Sequence, residues 1–271
     1  MTKEQLKATI QAGIESRIQA HKRRQRKKLF IGASFIILPL LLLTGWFLLP
    51  TPVAAIAQYS TRTGQFDTIY LKDGSRLSLA GNSTITVSES DTGSSVTLLN
   101  GECFFEIEKQ KKHPFQVITN DTRTTVIGTA FTVSKPDAAK PAEVRLKEGK
   151  ISIVANQQET VLLPGERFFW DEEHHQFDTD SISTLAIGNW KSERIVWDKL
   201  NIRQIIFQLE NIFPIKITAT ENVLAQHHQY SLSFNRSISI ESLLEILSAI
   251  TSDEKLKFEL NKQNQSISIN K

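Results

Sequence analysis

A handful of side chains in the sequence are of types that do chemistry. The single thiol, Cys103, stands in Gly101-Glu102-Cys103-Phe104-Phe105-Glu106-Ile107-Glu108. Strand alternation puts Cys103, Phe105 and Ile107 on one face and Glu102, Glu106 and Glu108 on the other. A thiol among aromatic and branched neighbours is expected to be a buried, inert core group rather than a nucleophile. Three carboxylates projecting the same way hold the groups for acid/base work, but such a row is expected to be a solvated face. Asp171-Glu172-Glu173-His174-His175 and His227-His228 have metal-ligating types. Adjacent residues on a strand or loop point apart, however, and no further ligand is fixed by spacing. The sequence has no phosphate-binding glycine loop, nucleophile elbow or HExxH motif. No catalytic, cofactor-binding or metal-binding residues are therefore assigned, no cofactor is expected, and the chain is not expected to be an enzyme.

These residues need a scaffold, and from Tyr59 to about Trp190 the hydrophobic period is two. Apolar pairs lead into Asp73-Gly74, Asn100-Gly101, Asn120-Asp121, Glu148-Gly149 and Pro164-Gly165 and out again. Each is a turn signal that predicts a hairpin. Leu71-Lys72-Asp73-Gly74 with Leu77-Ser78-Leu79 and Leu146-Lys147-Glu148-Gly149 with Ile151-Ser152-Ile153 nearly repeat each other. Short, evenly spaced strands of this kind predict an all-β domain, whether a sandwich, a roll or a solenoid-like stack. After Trp190 the period changes. Asn201 and Gln204 form a capping-box pattern, and Ile202, Ile205, Ile206, Leu209 and Phe213 follow a helical stripe that Pro214 ends. Strands are expected at 215–218 and around Tyr230, Leu232 and Phe234. A second helix, capped by Ser239, carries Ile240, Leu243, Leu244, Leu247 and Ile250, with strands after it near Phe258 and Ile267. Two helix-strand-strand units make a small α+β domain.

The 271 residues carry a formal net charge of +3, which invites a nucleic-acid reading until the charge is located. Met1 to Lys28 hold nine Lys/Arg against Glu4 and Glu15, a net +7, so the other 243 residues sum to −4. Leu29 to Leu49 are 21 residues without a charge. As a helix they would reach about 30 Å, the thickness of a bilayer core. A transmembrane helix is therefore expected over 29–49, with the basic flank holding the N-terminus in the cytoplasm. The competing reading is a cleaved secretory signal ending at Ala55-Ile56-Ala57, against which the long basic head and long apolar core both count. The expected layout is a cytoplasmic basic amphipathic tail (1–28), the span (29–49), a linker (50–57), the all-β domain (58–190) and the α+β domain (191–271). One cysteine excludes an intrachain disulfide framework. In the tail, Leu6, Ile10, Ile14 and Ile18 recur every four residues, a narrow apolar stripe that either binds a cytoplasmic partner or lies on the membrane surface. The basic run beside the span is expected to meet lipid headgroups, with no direct nucleic acid as partner.

Five segments in order then resemble a known family: Gly101 to Ile107, His113-Pro114-Phe115, Val126-Ile127-Gly128-Thr129-Ala130-Phe131-Thr132-Val133, Leu146-Lys147-Glu148-Gly149-Lys150-Ile151 and Leu163-Pro164-Gly165-Glu166. They look like the successive signature segments of the FecR family of anti-sigma regulators, with Cys103 where an alanine is usual. The part from Val196-Trp197 onward is similar to secretin and TonB short N-terminal domains. The resemblance implies a single-pass inner-membrane signal transducer whose bulk is periplasmic. It implies contact with the signalling domain of an outer-membrane TonB-dependent transporter and with an extracytoplasmic-function sigma factor. Leu6, Ile10, Ile14 and Ile18 are then the candidate sigma-factor contact. The alternative is a membrane-anchored periplasmic binding or scaffolding module without sigma-factor contact.

Overall fold

The computed structural model describes residues 55–90, 93–109, 113–136, 141–171, 176–263 and 265–271. Alternating apolar residues fold the first two thirds of these into strands. They are β1 (Ala55–Ser60), β2 (Asp67–Tyr70), β3 (Arg76–Leu79), β4 (Thr84–Ser90), β5 (Gly93–Glu106), β6 (Phe115–Ile118), β7 (Thr122–Val126), β8 (Ala130–Lys135), β9 (Glu143–Glu148), β10 (Ile151–Ala155), β11 (Gln158–Leu162), β12 (Glu166–Asp171) and β13 (Gln176–Ser181). They form two faces that share β5. Sheet A runs β1-β4-β5-β6-β7-β10-β11 and sheet B runs β2-β3-β5-β8-β9-β12-β13. Odd-numbered residues of the β5 end in sheet B, Cys103 and Phe105, point inward with Leu77, Leu79, Phe131, Val133, Val144 and Leu146. From sheet A come Ile85, Val96, Leu98, Phe115, Val117, Ile151 and Ile153, completing one apolar core. Phe105 stacks on Phe131 with ring centroids 4.9 Å apart.

Of the five expected hairpins, two form. Asp73-Gly74 joins β2 to β3, and Asn120-Asp121 joins β6 to β7, where Thr119 N–H donates to Thr122 O at 2.9 Å. The other three signals mark corners. Asn100-Gly101 lies inside the 14-residue β5, at the point where it leaves β4 and enters sheet B. A register shift between Thr84 and Ile85 leaves one extra residue there, a β-bulge that bends the strand. Gly101 has φ +91°, and a Cβ on it would lie 2.3 Å from Ser83 Oγ. Glu148-Gly149 and Pro164-Gly165 carry the chain between the sheets, since β9 pairs β8 and β12 while β10 pairs β7 and β11. A turn residue states that the chain bends; which edge is open to receive the next strand decides whether a ladder closes. Conversely, β10 and β11 form a hairpin over Asn156-Gln157, both at positive φ (48° and 64°), a turn the sequence hides because no glycine stands in it.

The last third comprises β14 (Arg194–Leu200), α1 (Ile202–Ile212), β15 (Lys216–Ala219), α2 (Glu221–Leu224), β16 (Tyr230–Asn235), α3 (Ile240–Ile250), β17 (Lys257–Asn261) and β18 (Ser266–Asn270). Asn201 and Gln204 cap α1 reciprocally, and Ser239 caps α3. The expected pair of helix-strand-strand units is nonetheless wrong. β16 pairs antiparallel with β14, which precedes α1, and β15 pairs parallel with β18 at the far end of the chain. Period-two alternation identifies a strand but not its partner, so neither unit is self-contained. Strands outweigh helices throughout the described chain. The expected transmembrane helix is not supported either. No helix among the described residues is long and apolar enough to cross a membrane, and Leu29 to Leu49 lie outside them. The longest described helices, at 11 residues, span only about 16 Å of the roughly 30 Å a bilayer core requires.

Candidate functional site, a charged seam beside a cleft

Even-numbered residues of the C-terminal half of β5 point away from the sandwich core, and the chain folds back to cover them. Phe104 packs with Ala80, Ile187 and Trp190, its ring at 6.3 Å and 87° to the indole. Glu102, expected on a solvated face, is wholly buried. Only Glu106 and Glu108 keep to that expectation in part: Glu106 is half-buried and pairs with Arg76, and Glu108 is exposed. The alternation was legible, but α1 covers sheet B at Glu102, and no period-two pattern announces a helix laid over a sheet.

Register builds the cluster around it. Thr132 stands opposite Arg145, Arg145 opposite Arg167, and Arg167 opposite Asp180, a row across β8, β9, β12 and β13. Two arginines facing each other would repel. Three carboxylates intervene. Arg145 Nη2 lies 3.1 Å from Glu102 Oε1 and donates to Ser134 Oγ at 2.6 Å, while its Nε lies 3.1 Å from Glu143 Oε1. Arg167 Nε donates to Asp180 Oδ1 at 2.8 Å and its Nη2 to Oδ2, with Nη1 at 4.0 Å from Glu143 Oε2. From α1, Gln208 Nε2 donates to Glu102 Oε2 and Gln204 Nε2 to Glu143 Oε2, each at 2.7 Å. Burial pushes the Glu102 carboxyl above the usual range, opposed by Arg145 and by hydrogen bonds from Ser134 and Gln208. Burial works against the Arg167 charge, but Glu143 and Asp180 outweigh it and hold the guanidinium above its usual value. Farther along α1, Asn211 is 1% exposed with neither amide atom hydrogen-bonded.

A cleft of about 590 Å³ opens beside this seam. Phe169 and Trp170 wall it from β12, Ile206 and Phe207 from α1, and Arg145, Arg167, Gln204 and Gln208 lie along its polar side. Arg203 Nε donates to Leu224 O at 2.8 Å. Glu210, also lining the cleft, is pushed up by burial and eased by the Ile217 N–H. The size and the mix of aromatic walls with a few polar groups are those of a binding site.

The other residues singled out from sequence do not converge here. Cys103 is in the sandwich core. His227 lines the cleft and is exposed, while exposed His228 sits 3.7 Å from Glu254. Residues 172–175 lie outside the described residues, and among those described no group of three His, Cys, Asp or Glu is placed to hold a metal ion. Leu6, Ile10, Ile14 and Ile18 also lie outside the described residues. Sequence reasoning placed Glu102 on a solvated face and missed Arg145, Arg167 and Gln208. Gln208 alone left a trace, as a polar residue on the buried stripe of α1 between Ile205 and Leu209.

Comparison with known proteins places this architecture. No curated protein matches the chain. Two crystal structures of a candidate anti-sigma factor from Parabacteroides distasonis ATCC 8503, at 2.50 and 1.65 Å, share the fold. Each has a TM-score of 0.69 and 19% identity, and the matches cover 80% and 79% of this chain and 99% of each of those chains. Residues 57–152 match the FecR protein family, the stretch that spans β2 to β9 and carries Glu102 and Arg145. Over that stretch, about a third of the chain, the sequence is similar to the FecR family.

Proposed function

We propose that this protein regulates a sigma factor, relaying the state of an outer-membrane TonB-dependent transporter to an extracytoplasmic-function sigma factor by protein contacts. The observation that carries this reading is the FecR match over residues 57–152, set within a fold shared with the Parabacteroides candidate anti-sigma factor. In this reading the body from Ala55 to Lys271 works in the periplasm at the inner membrane. The transporter's signalling domain docks in the cleft, where Phe169, Trp170 and Phe207 offer apolar contact and Arg203 and Glu210 flank Phe207 along α1. No catalytic step is required; recognition and release carry the function. On the cytoplasmic side, Leu6, Ile10, Ile14 and Ile18 contact the sigma factor.

Two pull-downs test the two contacts separately. A Met1 to Lys28 peptide is expected to retain the sigma factor, and Ile10→Asp with Ile14→Asp to abolish retention. Equal retention by the double variant removes the stripe from the reading, and no retention by the native peptide, with unchanged transcription in a deletion strain, overturns it. Phe207→Asp is expected to weaken binding of the transporter's signalling domain by tenfold or more, about the effect of losing one buried apolar anchor. Unchanged binding excludes the cleft as the docking surface.

A further inference from the structure

The ion pairs of the seam close among themselves on one side of it, with Asp198 of β14 adding to the field on Arg167 from the other. Glu102, Glu143 and Asp180 face Arg145 and Arg167, and all five sit on β5, β9, β12 and β13. Across the seam, α1 answers the two glutamates with neutral amides, Gln204 and Gln208, one helical turn apart. Parting the two sides therefore strands no charge: Glu102 keeps Arg145, and Glu143 keeps Arg145 and Arg167. The apolar cores are equally separate, since the cluster of the sandwich and the cluster from Ile195 to Ile269 share no residue. Their connection, residues 182–193, stays on sheet B through Ile187 and Trp190 against Phe104. The remaining contacts are mostly polar: Lys199 Nζ donates to Ser181 O at 2.7 Å and Arg167 Nη1 to Lys199 O at 3.5 Å, while β14 and Arg236 meet the connection through Ser183 N–H to Asp198 Oδ2, Asn189 Nδ2 to Val196 O and Arg236 Nη1 to Trp190 O. Arg236 lies over the Phe66 ring at 4.5 Å, and the chain at 211–214 rests against Gly64 and Gly81. With open space of about 590 Å³ alongside and no shared apolar cluster, this interface is held mainly by hydrogen bonds.

We propose that the seam is a built-in release point, at which residues 194–271 lift from sheet B as one body on the anchored segment 182–193, with Gln204 and Gln208 as the latch. This goes beyond the signalling reading and stands without it, because the opening belongs to the protein alone.

Thiol labelling of the full-length chain tests it, with native Cys103 as reporter of the sandwich core, 0% exposed. Asn211→Cys reports the seam and Ile205→Cys the core of the C-terminal body, at positions 1% and 0% exposed. Position 211 is expected to react with iodoacetamide at least about tenfold faster than Cys103 or position 205, as sub-global opening requires. Gln208→Ala should speed labelling at 211 about tenfold further, the effect of losing one hydrogen bond to a charged group, and leave the other two rates unchanged. Equal slow rates at all three thiols would mean global unfolding alone and overturn the proposal. So would labelling at 205 as fast as at 211, which marks unfolding of the body, or indifference of 211 to Gln208→Ala, which marks fraying of the helix end. If Ile205→Cys fails to fold, Leu247→Cys, also at a 0% exposed position, takes its place.

Discussion

On the outward face of sheet A, Arg123, Val154 and Glu159 stand in register across β7, β10 and β11 and are all exposed. In sheet B the matching row, Thr132, Arg145 and Arg167, is buried. The two sheets share a strand, a core and a pattern of alternation. They differ in what lies on top: solvent over the first row, the folded-back chain over the second. An arginine on a strand is thus a solubilising group in one place and half of a buried ion pair in the other, and its own sequence neighbours do not distinguish the two.

The comparison is broken most directly by removing one arginine from each row. Arg145→Ala leaves Glu102 buried without its cation, and a loss of about 3–5 kcal/mol of unfolding free energy is expected in chemical denaturation. Arg123→Ala should change stability by no more than about 0.5 kcal/mol. A similar cost for both would mean that cover over sheet B contributes nothing to the difference. The next largest effect is expected at the corner the sheets share. Gly101→Ala meets both a positive φ and the Ser83 side chain, and a loss of about 1–3 kcal/mol is expected by the same measurement. An Ala variant as stable as the native chain would show that β5 crosses between the sheets without needing glycine.

Glu102→Gln sharpens the comparison with the smallest change. It keeps the shape and an acceptor while Arg145 retains Glu143, so at neutral pH a shift within about 1 kcal/mol is expected. The pH dependence is the more telling readout. Burial raises the Glu102 pKa in the folded state, so the unfolded chain loses this proton first as pH rises. Native stability should therefore fall as pH climbs from the ordinary glutamate range toward the raised folded value, a fall that Glu102→Gln does not share. Parallel stability profiles for the two proteins would show that Glu102 titrates as it does in water.

Much of the local structure was legible. The cap at Asn201, the stripe of α1, the core position of Cys103 and the hairpins at Asp73-Gly74 and Asn120-Asp121 follow from spacing and side-chain type within a few residues of each other. Failures cluster where distant chain segments meet. Leu71 to Leu79 and Leu146 to Ile153 nearly repeat each other, yet the first closes a hairpin and the second crosses from sheet B to sheet A. For Glu102 the face was predicted and the surroundings were not, since the residue that satisfies its Oε2 is Gln208, 106 positions away.

By itself the sequence determined where strands and helices lie, which side of each strand is apolar, and the similarity to the FecR family over residues 57–152. Those depend on backbone sterics, period and capping, all of which act over a few residues. Only the tertiary structure decided which strands pair, which glycine turns are corners, and that an outward row of polar side chains is enclosed. Pairing and cover are set by the competition of far-apart edges and faces for one another, and burial converts an ordinary glutamate into a group that must be met by Arg145 and Gln208.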